Sequence, residues 1–332
     1  MDVARFQEPE FRERLRVHLA SFAEADDRRA AWEVASTAAV YVALLFLTAF
    51  ALRRLDTTQG VLLAVVSVAL LALTQVRAFL VHHDLCHRSL FRSAKVNALV
   101  APFVGTFAST SSHVWKREHD RHHRDSNNLD RSQDGQTGAW TVEQYRAAKG
   151  WQRALYRVVN APPVLFGLVP PLYFLGFMRV AARWYENVLF ALFVAALWWS
   201  GTLGAFFVAL LPATWFGFLL FHAQHTGPSL VRRHTAEWDH VENGLVGSTC
   251  LVTPRVPLFS PVLDWFLYGV EFHHVHHLLP QLPAWRQRAC HEAGADLFTD
   301  VPRITLGGAV RATKLALYDE AQAKLVPFPS RT

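Results

Sequence analysis

Histidine is the residue type in this sequence that asks for chemistry: 17 of the 332 residues are His, against two Met, and imidazole is the commonest side-chain metal ligand. The histidines come in groups. His83-Asp84-Leu85-Cys86-His87 sets two imidazoles four residues apart. On a helix that spacing gives one face and Cβ atoms roughly 6 Å apart, within reach of one metal or a close pair. His119-Asp120-Arg121-His122-His123 places histidines at i, i+3 and i+4, a tripod on one helical face. His273-His274-Val275-His276-His277 repeats it with His273, His276 and His277, and His222-Ala223-Gln224-His225 is a looser fourth group.

A single H-x-x-x-H near a membrane is commonly an interfacial pair. Three such groups on one membrane face point instead to joint metal binding. Eight or nine neutral nitrogens exceed what one tetrahedral zinc accepts. They suit two first-row ions with positions left open for dioxygen, and iron is the redox-active choice. Cys86, Cys250 and Cys290 are too few and too scattered for a disulfide framework, an iron–sulfur cluster or a zinc knuckle, and read as reduced thiols.

The elements that must position these groups follow from the apolar runs. Hydrophobic residues make up 52% of the chain and charged ones 18%, with a net charge of +6; this composition indicates a membrane protein and argues against a nucleic-acid partner. Residues 1–30 form a charged N-terminal segment without a cleavable signal pattern. Its Phe6, Phe11, Leu15, His18, Leu19 and Phe22 fall near helical spacing. The main domain is expected over residues 31–332, with spans at about 32–52, 61–80, 186–200 and 203–221. The run from Trp32 to Leu52 covers about 30 Å of hydrocarbon. Gln75 and Arg77, near the end of the second span, are expected to line a protein interior or to snorkel.

Parity constrains the rest. Only 31 residues separate His87 from His119, whereas two crossings need about 40, so the apolar segment from Ala94 to Ser112 should be re-entrant or lie flat. The stretch from Ala161 to Met178, broken by Pro162, Pro163, Pro170 and Pro171, is placed in the interface. Twelve Arg and Lys lie between His82 and Asn160, against two in the loop from Arg53 to Gly60, which puts the histidines on the cytoplasmic side. The expected fold is all-α and integral to the membrane: four spans in two hairpins, interfacial helices and a cytoplasmic helical cap.

HDLCH, HDRHH and HHVHH resemble the histidine boxes of membrane fatty-acid desaturases in composition, order and separation. The likeness continues between them: Asn128-Leu129-Asp130-Arg131, Trp140-Thr141-Val142-Glu143, the run from Trp151 to Arg157, Gln224-His225, Glu237-Trp238-Asp239 and the run from Val301 to Leu306 resemble bacterial acyl-lipid desaturases of the omega-6 (delta-12) group. It extends from about Thr74 to Pro327. The resemblance implies a bacterial inner membrane as the setting. It implies His83, His87, His119, His122, His123, His225, His273, His276 and His277 as ligands of two non-haem irons, with His222 and His274 beside matching positions. Asp84, Asp120, Glu237 and Asp239 are expected to accept the outer ring N–H of ligating imidazoles. Trp115, Trp140 and Trp238 are candidates for the wall of an acyl tunnel; His82 and His113 read as interfacial or hydrogen-bonded residues.

The implied reaction removes two hydrogens from neighbouring acyl methylenes, consuming O2 and two electrons. The electrons must come from an external donor, a ferredoxin or a cytochrome b5-like protein. A related hydroxylase, epoxygenase or carotenoid ketolase keeps the same centre and differs in product. A membrane haem protein or metal transporter is the rival outside oxygen chemistry, and the position of the histidines at helix ends rather than mid-span counts against it.

Overall fold

The computed structural model describes residues 3–131 and 138–329; Met1, Asp2 and residues 330–332, which the expected domain limits include, lie outside them. After α1 (Pro9–Ala20), helices α2 (Asp27–Leu52) and α3 (Thr58–His87) form an antiparallel hairpin. Asp26 caps α2 by accepting from the Arg28 and Arg29 amides. The hairpin turn requires glycine at position 60, where a Cβ would sit 1.7 Å from the Arg54 carbonyl oxygen.

α4 (Ala94–Phe107) and α5 (Ser112–Asp125) follow. The Arg92 amide donates to Asp27 at the start of α2, whereas Phe107 stacks on Tyr41, halfway along it. The chain then turns through Ser109, at positive φ, and Ser112 returns to His82. This segment dips in and comes back to its own side, as parity requires.

Beyond β1 (Trp140–Thr141), α6 (Val142–Ala147) and α7 (Gly150–Val159) come α8 (Pro163–Val180), α9 (Trp184–Trp199) and α10 (Leu203–His225). Among the described residues, four helices are long and apolar enough to cross a membrane: α2, α3, α8 and α10. The number matches expectation, but by length the third member is α8 rather than α9. α9, expected as a span over 186–200, has 16 residues, whereas α8, expected in the interface, has 18. Contacts show how each runs. Near the start of α8, Phe166 packs on Phe218 and His222; further along, Phe174 packs on Phe79, and Met178 joins a cluster with Val81, Leu85 and Trp115. Both ends of α8 therefore sit at the level of the last turns of α3 and α10. α9 starts near Ser111 and Ser112, bonded through Glu186, and ends where Arg53 donates to the Gly201 carbonyl at the far end of α2. At 1.5 Å per residue it covers about 24 Å.

α2, α3 and α10 pack through Tyr41, Leu45, Ala49, Leu71, Ala72, Phe206, Ala209 and Ala213, small residues allowing close approach where lipid supplies no hydrophobic drive. Arg77 does not snorkel. It is 1% exposed, pairs with the equally buried Glu33, and donates to Thr37 Oγ1 at 2.9 Å and to the Trp265 carbonyl.

The remaining chain forms the cap: α11 (His240–Val246), β2 (Cys250–Val252), α12 (Ser260–Leu267), α13 (His273–Leu278), α14 (Ala284–Ala293), β3 (Arg303–Thr305), α15 (Leu306–Ala312), β4 (Leu315–Asp319) and β5 (Lys324–Pro327). The short strands are an addition to the helical expectation. β1 pairs parallel with β4, β4 antiparallel with β5, and β2 parallel with β3. The N-terminal segment belongs to the same core, since Phe6, Phe11, Leu15 and Leu19 pack with Val275, Leu278 and Phe298. All three cysteines are buried and free.

Candidate metal centre

Four elements deliver histidines to one place. His83 and His87 end α3, whose C-cap Arg88 is left-handed at φ 60°. His119, His122 and His123 lie on α5. The N-terminus of that helix is held by Glu186, whose carboxylate accepts from Ser111 Oγ at 2.6 Å and from the Ser112 and His113 amides. An acidic group there also meets the positive end of the helix dipole. His225 ends α10, where the Gln224 side chain donates to the Val270 carbonyl. The short α13 carries His273, His276 and His277. Gly269, at φ 82°, turns the chain into it, passing so close to α14 that a Cβ would lie 2.3 Å from the Ala284 carbonyl oxygen.

The nine histidines form two groups, within each of which one ring nitrogen per residue lies within 4.8 Å of all the others. The first comprises His83, His87, His119, His123 and His276; the second, His122, His225, His273 and His277. The groups adjoin: the rings of His123 and His277 are 4.5 Å apart.

In the first group, Nε2 of His83 is 2.8 Å from that of His119, and Nε2 of His123 is 3.0 Å from that of His119 and 2.8 Å from that of His276. In the second, Nε2 of His277 has three such neighbours, His122 at 3.2 Å, His225 at 3.2 Å and His273 at 3.0 Å. One ring proton cannot satisfy three facing nitrogens. A cation between them can, because ligands held about 2.1 Å from a metal stand about 3 Å from one another. His87 Nε2 is buried without a hydrogen-bond partner, a donor position consistent with a ligand. Burial first, then the neighbouring imidazoles, holds His119, His123, His273, His276 and His277 well below the usual histidine range. They are neutral, the form that binds metal. The donor set fits two metal ions.

The other expected residues divide. Asp84 is buried beneath the centre, with Oδ1 3.5 Å from His83 Nδ1 and Oδ2 accepting from the Ala284 amide. Asp120, expected to accept from a ligating imidazole, is instead half exposed and pairs with Lys116 at 2.8 Å. Glu237 is exposed. Asp239 caps α11 through the Val241 and Glu242 amides and pairs with Arg12. His274 turns away from the centre to His291, 2.9 Å from Nε2 to Nδ1. His222 meets the edge of Phe166 and joins neither group. His82 contacts Ser112, and His113 accepts from Arg183. Of the three tryptophans, Trp140 stacks on Tyr156 and Trp238 donates to the Ser126 carbonyl; only Trp115 borders the cavity beside the histidines.

That cavity is apolar and adjoins a second one with which it shares lining residues. The inner cavity is lined by His83, His119, His273 and His276, with Tyr268 and Gln287. The outer runs between α3, α8 and α10 past Tyr173, Phe174, Leu210, Ala213 and Thr214. Val76, Phe79, Trp115, Gly217 and Phe221 border both. Trp115 also stacks on His119, ring centroids 4.8 Å apart.

Glu186 is a positioning residue absent from the sequence-based expectations, although an acidic side chain opening an otherwise apolar helix is a visible signal. The Glu33–Arg77 pair has one too: a single opposite charge in each of two neighbouring spans.

Fold and site together define a helical membrane protein with a paired imidazole centre at the inner end of an apolar channel. The family model for fatty acid desaturases matches residues 59–304, and the chain belongs to that family. It is 28% identical to a fatty acid desaturase of Bacillus subtilis over 93% of this chain and 89% of the relative. It is 27% identical to the sn-1 oleoyl-lipid 12-desaturase of Synechocystis over 64% of this chain and 63% of that one. With the Delta(6)-fatty-acid desaturase fat-3 of Caenorhabditis elegans it shares 23% identity over 68% and 57%.

Proposed function

We propose that the chain introduces a cis double bond into the acyl chain of a membrane lipid, with O2 and two electrons from an external donor, and that the nine histidines hold two iron ions. The observation that carries this reading is the apolar channel bordered by histidines of both groups. When bound, the iron pair supplies the oxidising power that an unactivated C–H bond demands and that no side-chain acid, base or nucleophile provides. The protein's own part is placement. Phe79, Trp115 and Phe221 narrow the channel beside His83 and His119, excluding water and presenting one carbon pair, since acyl methylenes are chemically alike. Asp84 steadies His83 from beneath.

Omega-6 (delta-12) selectivity is the finer reading, supported by the likeness between the boxes and by the activity for which the Synechocystis relative is named. The histidine side is assigned to the cytoplasm from the excess of Arg and Lys between His82 and Asn160, and the bacterial inner membrane from the family resemblance. An acidic carrier such as a ferredoxin docks on that basic side, so turnover falls as ionic strength rises; salt-independent turnover with saturating reductase refutes the docking.

Expression in a host with defined lipids, followed by mass spectrometry, tests the reaction. Products two mass units lighter, absent with His122→Ala, are expected. Products sixteen units heavier reassign the chain to hydroxylation or epoxidation. Positional analysis of the double bond tests the omega-6 reading separately.

A further inference from the structure

A second concavity lies beside the centre but is bordered by none of the nine histidines. It is formed where the end of α3, the membrane-dipping α4, the start of α5 and the start of α9 converge. Arg88, Lys116, Arg117 and Arg183 border it, against the single carboxylate of Asp120. Lys116 is taken by Asp120, and Arg117 by Glu118. Among the described residues, the guanidinium groups of Arg88 and Arg183 have no carboxylate partner; that of Arg183 donates to His113, and only its backbone amide meets Glu186 Oε2, at 3.4 Å. The floor is apolar, with Ala98 and Pro102 of α4.

The site is amphiphilic in one direction. Leu99 and Phe103, on the same helix as the floor, are exposed large apolar side chains, suited to hydrocarbon. Trp184 and Tyr185, also exposed, stand at the start of α9 beside Arg183; aromatic side chains of this kind mark the head-group level. Cations at that level over an apolar slope match a phosphate with acyl chains attached. A protein partner would leave the slope uncovered.

We propose that this groove binds the head-group phosphate of an anionic phospholipid, Arg88 and Arg183 facing the phosphate and α4 carrying the acyl chains. The assignment concerns lipid binding outside the channel and does not depend on the reaction performed at the metal centre.

Native mass spectrometry of the full-length protein in detergent, titrated with phosphatidylglycerol or phosphatidylcholine, tests it. The wild type should retain one phosphatidylglycerol in preference to phosphatidylcholine. Arg88→Gln with Arg183→Gln should weaken that retention about tenfold or more, since each arginine near a head group is worth about 1 kcal/mol. Arg183→Gln alone gives part of the loss and keeps the test open if the change beside His87 impairs folding. Arg311→Gln with Lys314→Gln removes the same charge from an exposed site elsewhere and should leave retention intact. Equal retention of both lipids, or wild-type retention by the double variant, overturns the proposal. Displacement of phosphatidylglycerol by equimolar inorganic phosphate reassigns the groove to a free anion. Intact lipid retention with a raised KM for ferredoxin reassigns it to the electron donor.

Discussion

The carboxylate of Glu186 accepts a hydrogen bond from Ser111 Oγ at 2.6 Å, and this contact between α9 and the first turn of α5 helps fix where His119, His122 and His123 stand. Glu186→Ala removes the acceptor for one hydroxyl and three amides, those of Ser112, His113 and, at 3.4 Å, Arg183. A loss of ~2–3 kcal/mol is expected, read as a lower midpoint in thermal unfolding in detergent. Metal retention should fall about tenfold in the same variant; unchanged retention would mean that α5 is held adequately without it.

Gly217 borders both cavities of the channel, and a Cβ added there would meet only Val76 Cγ2, at 3.9 Å. Gly217→Leu should obstruct the passage and lower turnover of long acyl substrates by roughly ten- to a hundredfold, with metal content unchanged. Steady-state kinetics beside metal analysis separates this from damage to the centre.

Arg77 and Glu33 pair away from water between α2 and α3. Arg77→Leu strands a buried carboxylate whose other partner, Arg29, is half exposed; it should cost ~3–5 kcal/mol. Replacing both by Leu should cost less than the single change. Thermal unfolding of the two single variants and the double one forms the cycle.

His234 links Asp130 to Glu320, 2.8 Å from Nδ1 and 2.9 Å from Nε2, and hydrogen bonding to these carboxylates, Asp130 foremost, raises its pKa. The contribution is therefore fully present below the ordinary histidine value of about 6.5 and is lost as pH rises through the raised value. The stability gap between wild type and His234→Gln should be small, since the site is exposed, largest near pH 6, and closed in alkaline buffer.

The eight box histidines are legible in the sequence because i, i+3 and i+4 spacing survives any packing of a helix, whereas His225 is legible only through the family resemblance, its spaced neighbour His222 joining neither group. The neighbours of the box histidines are not, because position beside a ligand says nothing about what covers the adjacent face. Asp84 and Asp120 each follow a box histidine directly, yet α14 covers Asp84 and leaves Asp120 to Lys116. His274, one residue from His273, faces His291 and Phe298 instead. The membrane path is legible where parity governs, as in the dip of α4. It is less so at α8 and α9, where length and path disagree: prolines widen the turns of the longer helix and lay it across the bundle.

Metal analysis of the purified protein tests the paired centre most directly. Iron approaching two per chain without a haem Soret band is expected, with a marked loss of iron when one histidine from either group is changed, His123→Ala or His277→Ala, but not with His274→Ala. One iron or none per chain under iron-replete expression, or equal loss from all three variants, would contradict a paired centre.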